Sequence, residues 1–243
     1  ILGNINDKHE ELDFDKLDFS KFPELEQFML NKIFNLDTKF KKNFENYNFH
    51  ALYKDLLNFC TVDLSAFYFD IRKDCLYCDD LNTSKRKYTI IFLNILLEIL
   101  IKWFAPILSF TTEEIYSLIK KDKNKSIHLE NFLNIPAKWC NKVLVSKWNE
   151  LIKIREKCNS SIELKRAAKE IGSSLEANIV ISLNEKMIKF TEGVDLAELC
   201  ITSDAKIEKN DSDEIIVKTT KAEGKKCPVC WKISKNTCER HPS

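Results

Sequence analysis

Ile90-Ile91-Phe92-Leu93-Asn94-Ile95-Leu96-Leu97-Glu98-Ile99-Leu100-Ile101-Lys102-Trp103-Phe104-Ala105-Pro106-Ile107-Leu108 is the most apolar run of the chain. Its length is that of a bilayer span, and its polar residues decide against one. Asn94, Glu98 and Lys102 recur at every fourth position, so a helix places them on one face, and a membrane span tolerates few charges. The pattern predicts an otherwise buried helix with one solvated strip. Glu98 precedes Lys102 in the order that favours an i,i+4 ion pair. Pro106 stops the helix. Thr111 with Glu114 reads as a capping box that starts the next one, ending near Lys120.

The same periodicity extends towards the N-terminus. Residues 7–22 are acidic and irregular, with Asp13, Asp15 and Asp18 alternating with Phe14, Leu17 and Phe19. Pro23 then opens a helix in which Leu25, Phe28, Met29, Ile33 and Leu36 recur at three and four. Phe49, Leu52, Tyr53, Leu56, Leu57, Cys60, Leu64, Phe67, Tyr68 and Ile71 form one apolar stripe, with Lys54, Asp55, Asn58, Asp70 and Arg72 off it. With only four Gly and five Pro, helices are expected to dominate the first two thirds.

Lys120-Lys121-Asp122-Lys123-Asn124-Lys125 reads as a solvated linker. Beyond it Val145, Trp148, Leu151, Ile152 and Arg155 give one more helix, and a short helix around 163–170 is expected to end near Gly172. The period then changes. Ala177–Leu183 reads as a buried strand, 184–198 as a helix interrupted near Gly193, and Cys200–Ile207 and Glu214–Lys218 as further strands. The expected fold is therefore α+β, mainly α. A helical domain (1–120) precedes a linker (121–142), a small α+β module (143–220) and a knuckle (221–243).

The knuckle carries the strongest chemical signal. Cys227-Pro228-Val229-Cys230-Trp231 is followed by Cys238-Glu239-Arg240-His241. Two pairs of soft ligands, each with two residues between, suit a tetrahedral zinc ion. A Cys3His set leaves no open coordination position, so one structural zinc is expected and not a catalytic one. Lys225, Lys226, Lys232, Lys235 and Arg240 surround Trp231. Cations beside an aromatic face suit single-stranded nucleic acid. Trp231 packed on the module's sheet is the alternative, and a zinc that only staples the tail is compatible with either.

Cys75 and Cys78 are also two apart, but no second pair stands near them, and they read as ordinary thiols. The nine Cys are odd in number and scattered, which suits a reducing cytoplasm better than a disulfide framework. His9, His50 and His128 are isolated. No Gly-rich phosphate loop and no Ser/His/Asp clustering is present in the sequence, and no catalytic residue is assigned. The formal net charge of +1 means that any nucleic-acid contact must be local. Basic residues of the helical part, Lys73 and Arg86 among them, would hold a phosphate backbone if several shared a side. The chain begins at Ile1 and reads as part of something longer.

Several phrases together resemble the bacterial-type isoleucyl-tRNA synthetases. Ile1-Leu2-Gly3-Asn4-Ile5 is similar to the segment entering that family's anticodon-binding helical domain. Asp63-Leu64-Ser65-Ala66-Phe67-Tyr68-Phe69-Asp70-Ile71-Arg72-Lys73-Asp74-Cys75-Leu76-Tyr77 resembles its Leu-Ser-x-x-Tyr and Lys-Asp-Arg-Leu-Tyr signature, with Cys75 where Arg is usual. Pro106–Ile115, Ser126–Glu130 and Ile171-Gly172-Ser173-Ser174-Leu175-Glu176-Ala177 match later phrases. The Cys-x2-Cys-Trp knuckle closes the likeness, with His241 where a fourth Cys is frequent. The first half alone would also suit valyl or leucyl relatives. Lys186-Met187-Ile188-Lys189-Phe190 is only superficially like the family's Lys-Met-Ser-Lys-Ser loop, because it lacks both serines and follows a strand at the wrong place.

The resemblance implies a portion that grips the anticodon arm of tRNA(Ile). Trp231, Lys225, Lys226, Lys232, Arg240, Lys73 and Arg86 would contact RNA, and Cys227, Cys230, Cys238 and His241 would hold zinc. ATP and Mg2+ would be bound only in a catalytic part that this sequence lacks. A cytoplasmic monomer with no membrane contact is expected. The rival from another class is a protein-interaction module whose tail is stapled by zinc.

Overall fold

The computed structural model describes residues 1–5, 14, 16–121 and 124–241. Expectations for His9, Asp13, Asp15, Asp122 and Lys123 lie outside the described residues. Two compact units are resolved, Ile1–Asn141 and Lys142–Ser243.

The first unit is helical. A short helix α1 (Leu2–Ile5) is followed by α2 (Glu24–Glu45), α3 (Phe49–Asn58), α4 (Asp70–Cys78), α5 (Ser84–Phe104) and α6 (Ser109–Lys120). Pro23 begins α2, where its missing N–H costs nothing. Leu25, Phe28, Met29, Ile33 and Leu36 are all buried, as their spacing predicts.

Between α3 and α4 the backbone stays helical but widens to i→i+5 bonding over Phe59–Phe69. The wider turn shifts the phase of the stripe. Buried positions go from Leu52 and Leu56, four apart, to Phe59 and Leu64, five apart, then to Tyr68 and Ile71. Phe59 replaces the expected Cys60 in the core, and Tyr53 and Leu57 are left exposed.

Arg72 was expected off the apolar face. Instead it is 3% exposed and forms a bidentate pair with Glu26, which is 0% exposed. Its Nε donates to Oε1 at 2.6 Å and its Nη2 to Oε2 at 2.7 Å. Tyr68 and Thr89 hydroxyls also donate to Glu26 Oε1, at 3.0 and 3.3 Å. Burial, and then the Glu26 carboxylate, push the Tyr68 hydroxyl well above its ordinary range, so it stays a donor. Glu26 lies in the first turn of α2, where the helix dipole favours an anion. One network thus joins α2, the widened segment, α4 and α5.

The run 90–108 is helical up to Phe104, with Pro106 beyond its end. Its polar strip is not solvated, which corrects the sequence expectation: Asn94, Glu98 and Lys102 are all buried. Partners distant in sequence make this possible. Lys102 Nζ lies 3.2 Å from Glu130 Oε2, Lys120 Nζ lies 3.6 Å from Glu98 Oε1, and the Tyr116 hydroxyl donates to Glu130 Oε1 at 2.6 Å. The Tyr116 hydrogen bond, aided by Lys102 and opposed by partial burial, holds the Glu130 carboxyl below its usual range. The Thr111 capping box does not form. The next helix starts earlier, at Ser109, and the Thr112 hydroxyl bonds back to Leu108 O at 3.0 Å.

The stretch after Lys120 does more than link. Two short 3-10 turns, Ile127–Leu129 and Ala137–Trp139, pack on the first unit. Ile127 and Trp139 are buried. Phe14 and Phe19 lie 5.5 and 5.1 Å from the Trp139 ring, and Asn31 Nδ2 donates to its carbonyl. Among the described residues no helix is long and apolar enough to cross a membrane.

The second unit opens with α7 (Lys142–Ala167), one continuous helix where two shorter ones were expected. Strand β1 (Ala177–Leu183) has the expected bounds. The next two strands are displaced, to β2 (Asp204–Lys209) and β3 (Ile216–Lys221). The sheet order is β2-β1-β3, with β1 parallel to β2 and antiparallel to β3. Between β1 and β2 lie α8 (Glu185–Thr191) and α9 (Leu196–Leu199), separated by Gly193 at φ +75°. Cys200 closes α9 instead of opening a strand. The Lys186–Lys189 stretch is helical, capped by Asn184.

Ala177, Ile179, Ile181 and Leu183 are at most 1% exposed and form the inner sheet face. Leu151, Ile154, Cys158 and Ile162 of α7 are at most 2% exposed. The Ser161 hydroxyl, on α7, lies 2.7 Å from that of Thr219 on β3. Asn178, Val180 and Ser182 alternate onto the opposite face.

Candidate metal centre and nucleic-acid interface

A two-stranded hairpin, β4 (Lys225–Lys226) and β5 (Ile233–Ser234), closes the second unit. Gly224 leads into it at φ +128°. A Cβ there would meet Ser234 O at 2.1 Å, so only glycine lets the two backbones approach. The loop is then fixed by its own backbone. Cys227 N donates to Lys232 O at 2.9 Å, and Trp231 N donates to Cys227 O at 3.1 Å. A second turn, His241 N to Cys238 O at 3.2 Å, turns the tail so that His241 reaches the same point.

These turns bring the ligand atoms of Cys227, Cys230, Cys238 and His241 within 4.8 Å of one another. Among the described residues it is the one cluster of three or more His, Cys, Asp or Glu with that spacing. The distances fit one tetrahedral ion. Zn–S bonds of about 2.3 Å and Zn–N bonds of about 2.0–2.1 Å imply edges of about 3.8 Å for S–S and about 3.6 Å for S–N. Cys230 Sγ lies 3.8 Å from Cys238 Sγ. His241 Nδ1 lies 3.6 Å from Cys227 Sγ and 3.4 Å from Cys238 Sγ. With four protein ligands no position is left for a substrate or water, so the site is a structural zinc site.

The electrostatics of the two cysteines differ. Burial opposes the Cys227 thiolate, but the N–H groups of Cys230 and Val229 outweigh it, and the thiol sits at about 6. Burial pushes Cys230 up to about 12 against the Lys232 N–H. A coordinating ion deprotonates both. Cys75, in contrast, is buried away from any such cluster, and burial pushes its thiol up to about 12. It reads as an inert core thiol.

Trp231 does not pack on the sheet. It is 58% exposed, and Lys226 Nζ lies 5.0 Å from the ring centroid. Trp231 has φ +65°. This left-handed conformation costs a non-glycine residue about 1–2 kcal/mol. Lys225, Lys226 and Arg240 are exposed and Lys232 half-buried. The knuckle therefore gathers five of the predicted RNA-contacting residues: Trp231, Lys225, Lys226, Lys232 and Arg240.

The other two lie in the first unit. Lys73, on α4, pairs with Asp70 at 2.8 Å. Arg86, on α5, donates from Nη1 to the Asp79 carbonyl and clamps the turn before its own helix. Ser203 escaped the sequence reading. Its hydroxyl accepts from Ile233 N at 2.7 Å and donates to Leu175 O, tying the hairpin to the sheet. Nothing in local sequence marks such a role.

Residues 26–181 match the family profile described as the anticodon-binding domain of tRNA ligase. An isoleucine–tRNA ligase of Pelagibacter ubique is 58% identical over 241 residues, covering 99% of this chain and 26% of that protein. The isoleucine–tRNA ligase of Bartonella quintana is 36% identical over 233 residues, 91% of this chain and 24% of that protein. That of Agrobacterium fabrum is 36% identical over 231 residues, 90% of this chain and 24% of that protein. The chain thus spans about a quarter of the length of these relatives.

Proposed function

The chain belongs to the anticodon-binding domain family of tRNA ligases, and we propose that it is the anticodon-arm-binding portion of an isoleucine–tRNA ligase. The observation that carries this reading is similarity to one such ligase over 99% of the chain. That coverage takes in the Cys3His knuckle, which lies beyond the profile match. The parent reaction is ATP-dependent joining of isoleucine to tRNA(Ile). In this reading ATP and Mg2+ belong to another part of the ligase. The present chain holds the tRNA in the cytoplasm as a monomer, without itself activating isoleucine.

The residues have distinct tasks. An unpaired anticodon-loop base stacks on the exposed Trp231 ring, an interaction worth about 1–3 kcal/mol per base. Glycine would satisfy the same positive φ without strain, so the ring has a use beyond the turn. Lys226, placed against the ring, together with Lys225, Lys232 and Arg240, supplies phosphate contacts beside the stacked base. Bound zinc supplies folding energy to this segment, about 10–16 kcal/mol in apparent terms for zinc-finger peptides. In the first unit Arg86 keeps further donors beyond the one on Asp79, and Lys73 reaches phosphate by leaving Asp70.

The test is tRNA(Ile) binding by the whole chain at two salt concentrations, with and without a chelator. Binding that weakens steeply with salt and on metal removal supports the reading. Absent or salt-insensitive binding overturns it in favour of a zinc-stapled protein-interaction module.

A further inference from the structure

Asn46-Tyr47-Asn48 turns the end of α2 into α3 in the helical unit. Tyr47 N donates to Phe44 O at 3.0 Å and Asn48 N donates to Asn43 O at 2.8 Å. This pair of bonds closes a helix through one left-handed residue, a position that glycine ordinarily fills. Here Tyr47 fills it, at φ +55°, and Tyr47 is 82% exposed. Neither burial nor the turn calls for an aromatic residue there.

The ring is nonetheless held in place. It lies 6.4 Å from the Phe49 ring, which lies 6.0 Å from that of Phe44. Phe44 stacks on Phe40 at 6.0 Å, and Phe40 on the buried Trp103 at 5.5 Å. A row of rings thus runs from the core to the surface. Phe49 and Tyr53 are four apart on α3 and both exposed, so the row continues along that helix. His50 and Lys54, also four apart, form the row beside it. Residues 39–54 carry Lys39, Lys41, Lys42 and Lys54 against one carboxylate, Glu45. Lys41 is engaged by Asp37 at 2.8 Å. Lys42 and Lys54 are exposed and pair with no carboxylate among the described residues.

We infer that this α2–α3 corner is an RNA-stacking site of the helical unit, with Tyr47 as its main platform, and that it takes unpaired nucleotides of the tRNA. One base stacks on Tyr47 and a neighbour on Tyr53, a mode open to every base because each has a π-face. Lys42 and Lys54 hold the phosphates between them. An apolar protein surface is a poorer occupant, because it would desolvate these lysines and the exposed Asn46 and Asn48 amides without pairing them. The inference rests on the reading of the chain as tRNA-binding.

The test measures affinity of the full chain for tRNA(Ile) across a salt series. Tyr47→Gly separates a structural role from a binding one, because glycine suits the backbone and removes the ring. Its thermal midpoint should hold or rise, while tRNA binding weakens about tenfold, within the range of base–aromatic stacking. Tyr47→Phe keeps the ring and should bind as the unaltered chain does. The double variant Lys42→Ala/Lys54→Ala should lower the slope of log K against log salt by about 1.4, since each phosphate contact to a single strand contributes about 0.7. Lys209→Ala, in the second unit and paired with Glu185, should leave that slope unchanged. Full affinity in Tyr47→Gly, or an unchanged slope in the double variant, alongside weakened binding in Trp231→Ala, would overturn the corner and leave the functional reading intact. No binding by the unaltered chain would sink both.

Discussion

Arg72 shows most clearly what one side chain does in this molecule. Its guanidinium and the Glu26 carboxylate are both buried and meet through two short bonds. Removing one partner strands a buried charge, at a cost of about 3–5 kcal/mol. Arg72→Met should therefore lower the unfolding free energy by about that much, measured by urea denaturation. Replacing both Arg72 and Glu26 with apolar residues should cost less than the sum of the single changes. A backbone constraint acts at Gly224, whose Cβ would collide with Ser234 O. Gly224→Ala should lower zinc affinity while leaving the sheet formed, as read by metal titration and backbone amide signals. The metal ligands were legible because coordination demands residue types at fixed spacing. Arg72 was not. A uniform helical period puts it off the stripe beside Asp70, and nothing local announces that Glu26, far earlier in the chain, receives it.

Among the elements, the widened helical segment Phe59–Phe69 and the polar strip of α5 explain where sequence reading stopped. Helix existence was readable from periodicity, and so was the change of period at Ala177. The buried set within 59–69 was not, because i→i+5 bonding re-phases the face. The α5 strip looked solvated because its partners, Lys120 and Glu130, come from later segments. The early start of α6 follows from backbone bonds that side-chain capping rules do not count. The Glu130 cluster has a measurable pH signature. Its carboxyl is held below the usual value of 4.5, so its stabilising contribution is present above that value and is lost as pH falls through the folded pKa. Glu130→Gln should reduce the thermal midpoint at neutral pH, and the difference from the unaltered chain should shrink in acid. An equal difference at both pH values would contradict the assignment. In the hairpin, chelation should release amide protection at Cys227, Trp231 and Ile233 while β1 to β3 remain protected, since the sheet has its own core on α7.

At the scale of the molecule, the chain forms two compact units. The helical unit carries the buried ion network, and the second ends in a metal-pinned hairpin whose aromatic ring faces solvent. The profile match stops at residue 181, whereas similarity to the isoleucine–tRNA ligase of Pelagibacter ubique covers 99% of the chain. The knuckle therefore lies beyond the profile match but within the similarity to the Pelagibacter ubique ligase. The central claim is that this chain grips the anticodon arm and not the acceptor end of its tRNA. Titrating the chain, zinc-loaded, with two fragments of tRNA(Ile) tests it directly: the anticodon stem-loop and the acceptor minihelix. Salt-dependent binding to the stem-loop, lost on chelation and much weaker for the minihelix, is expected. Equal affinity for both fragments, or preference for the minihelix, would contradict it.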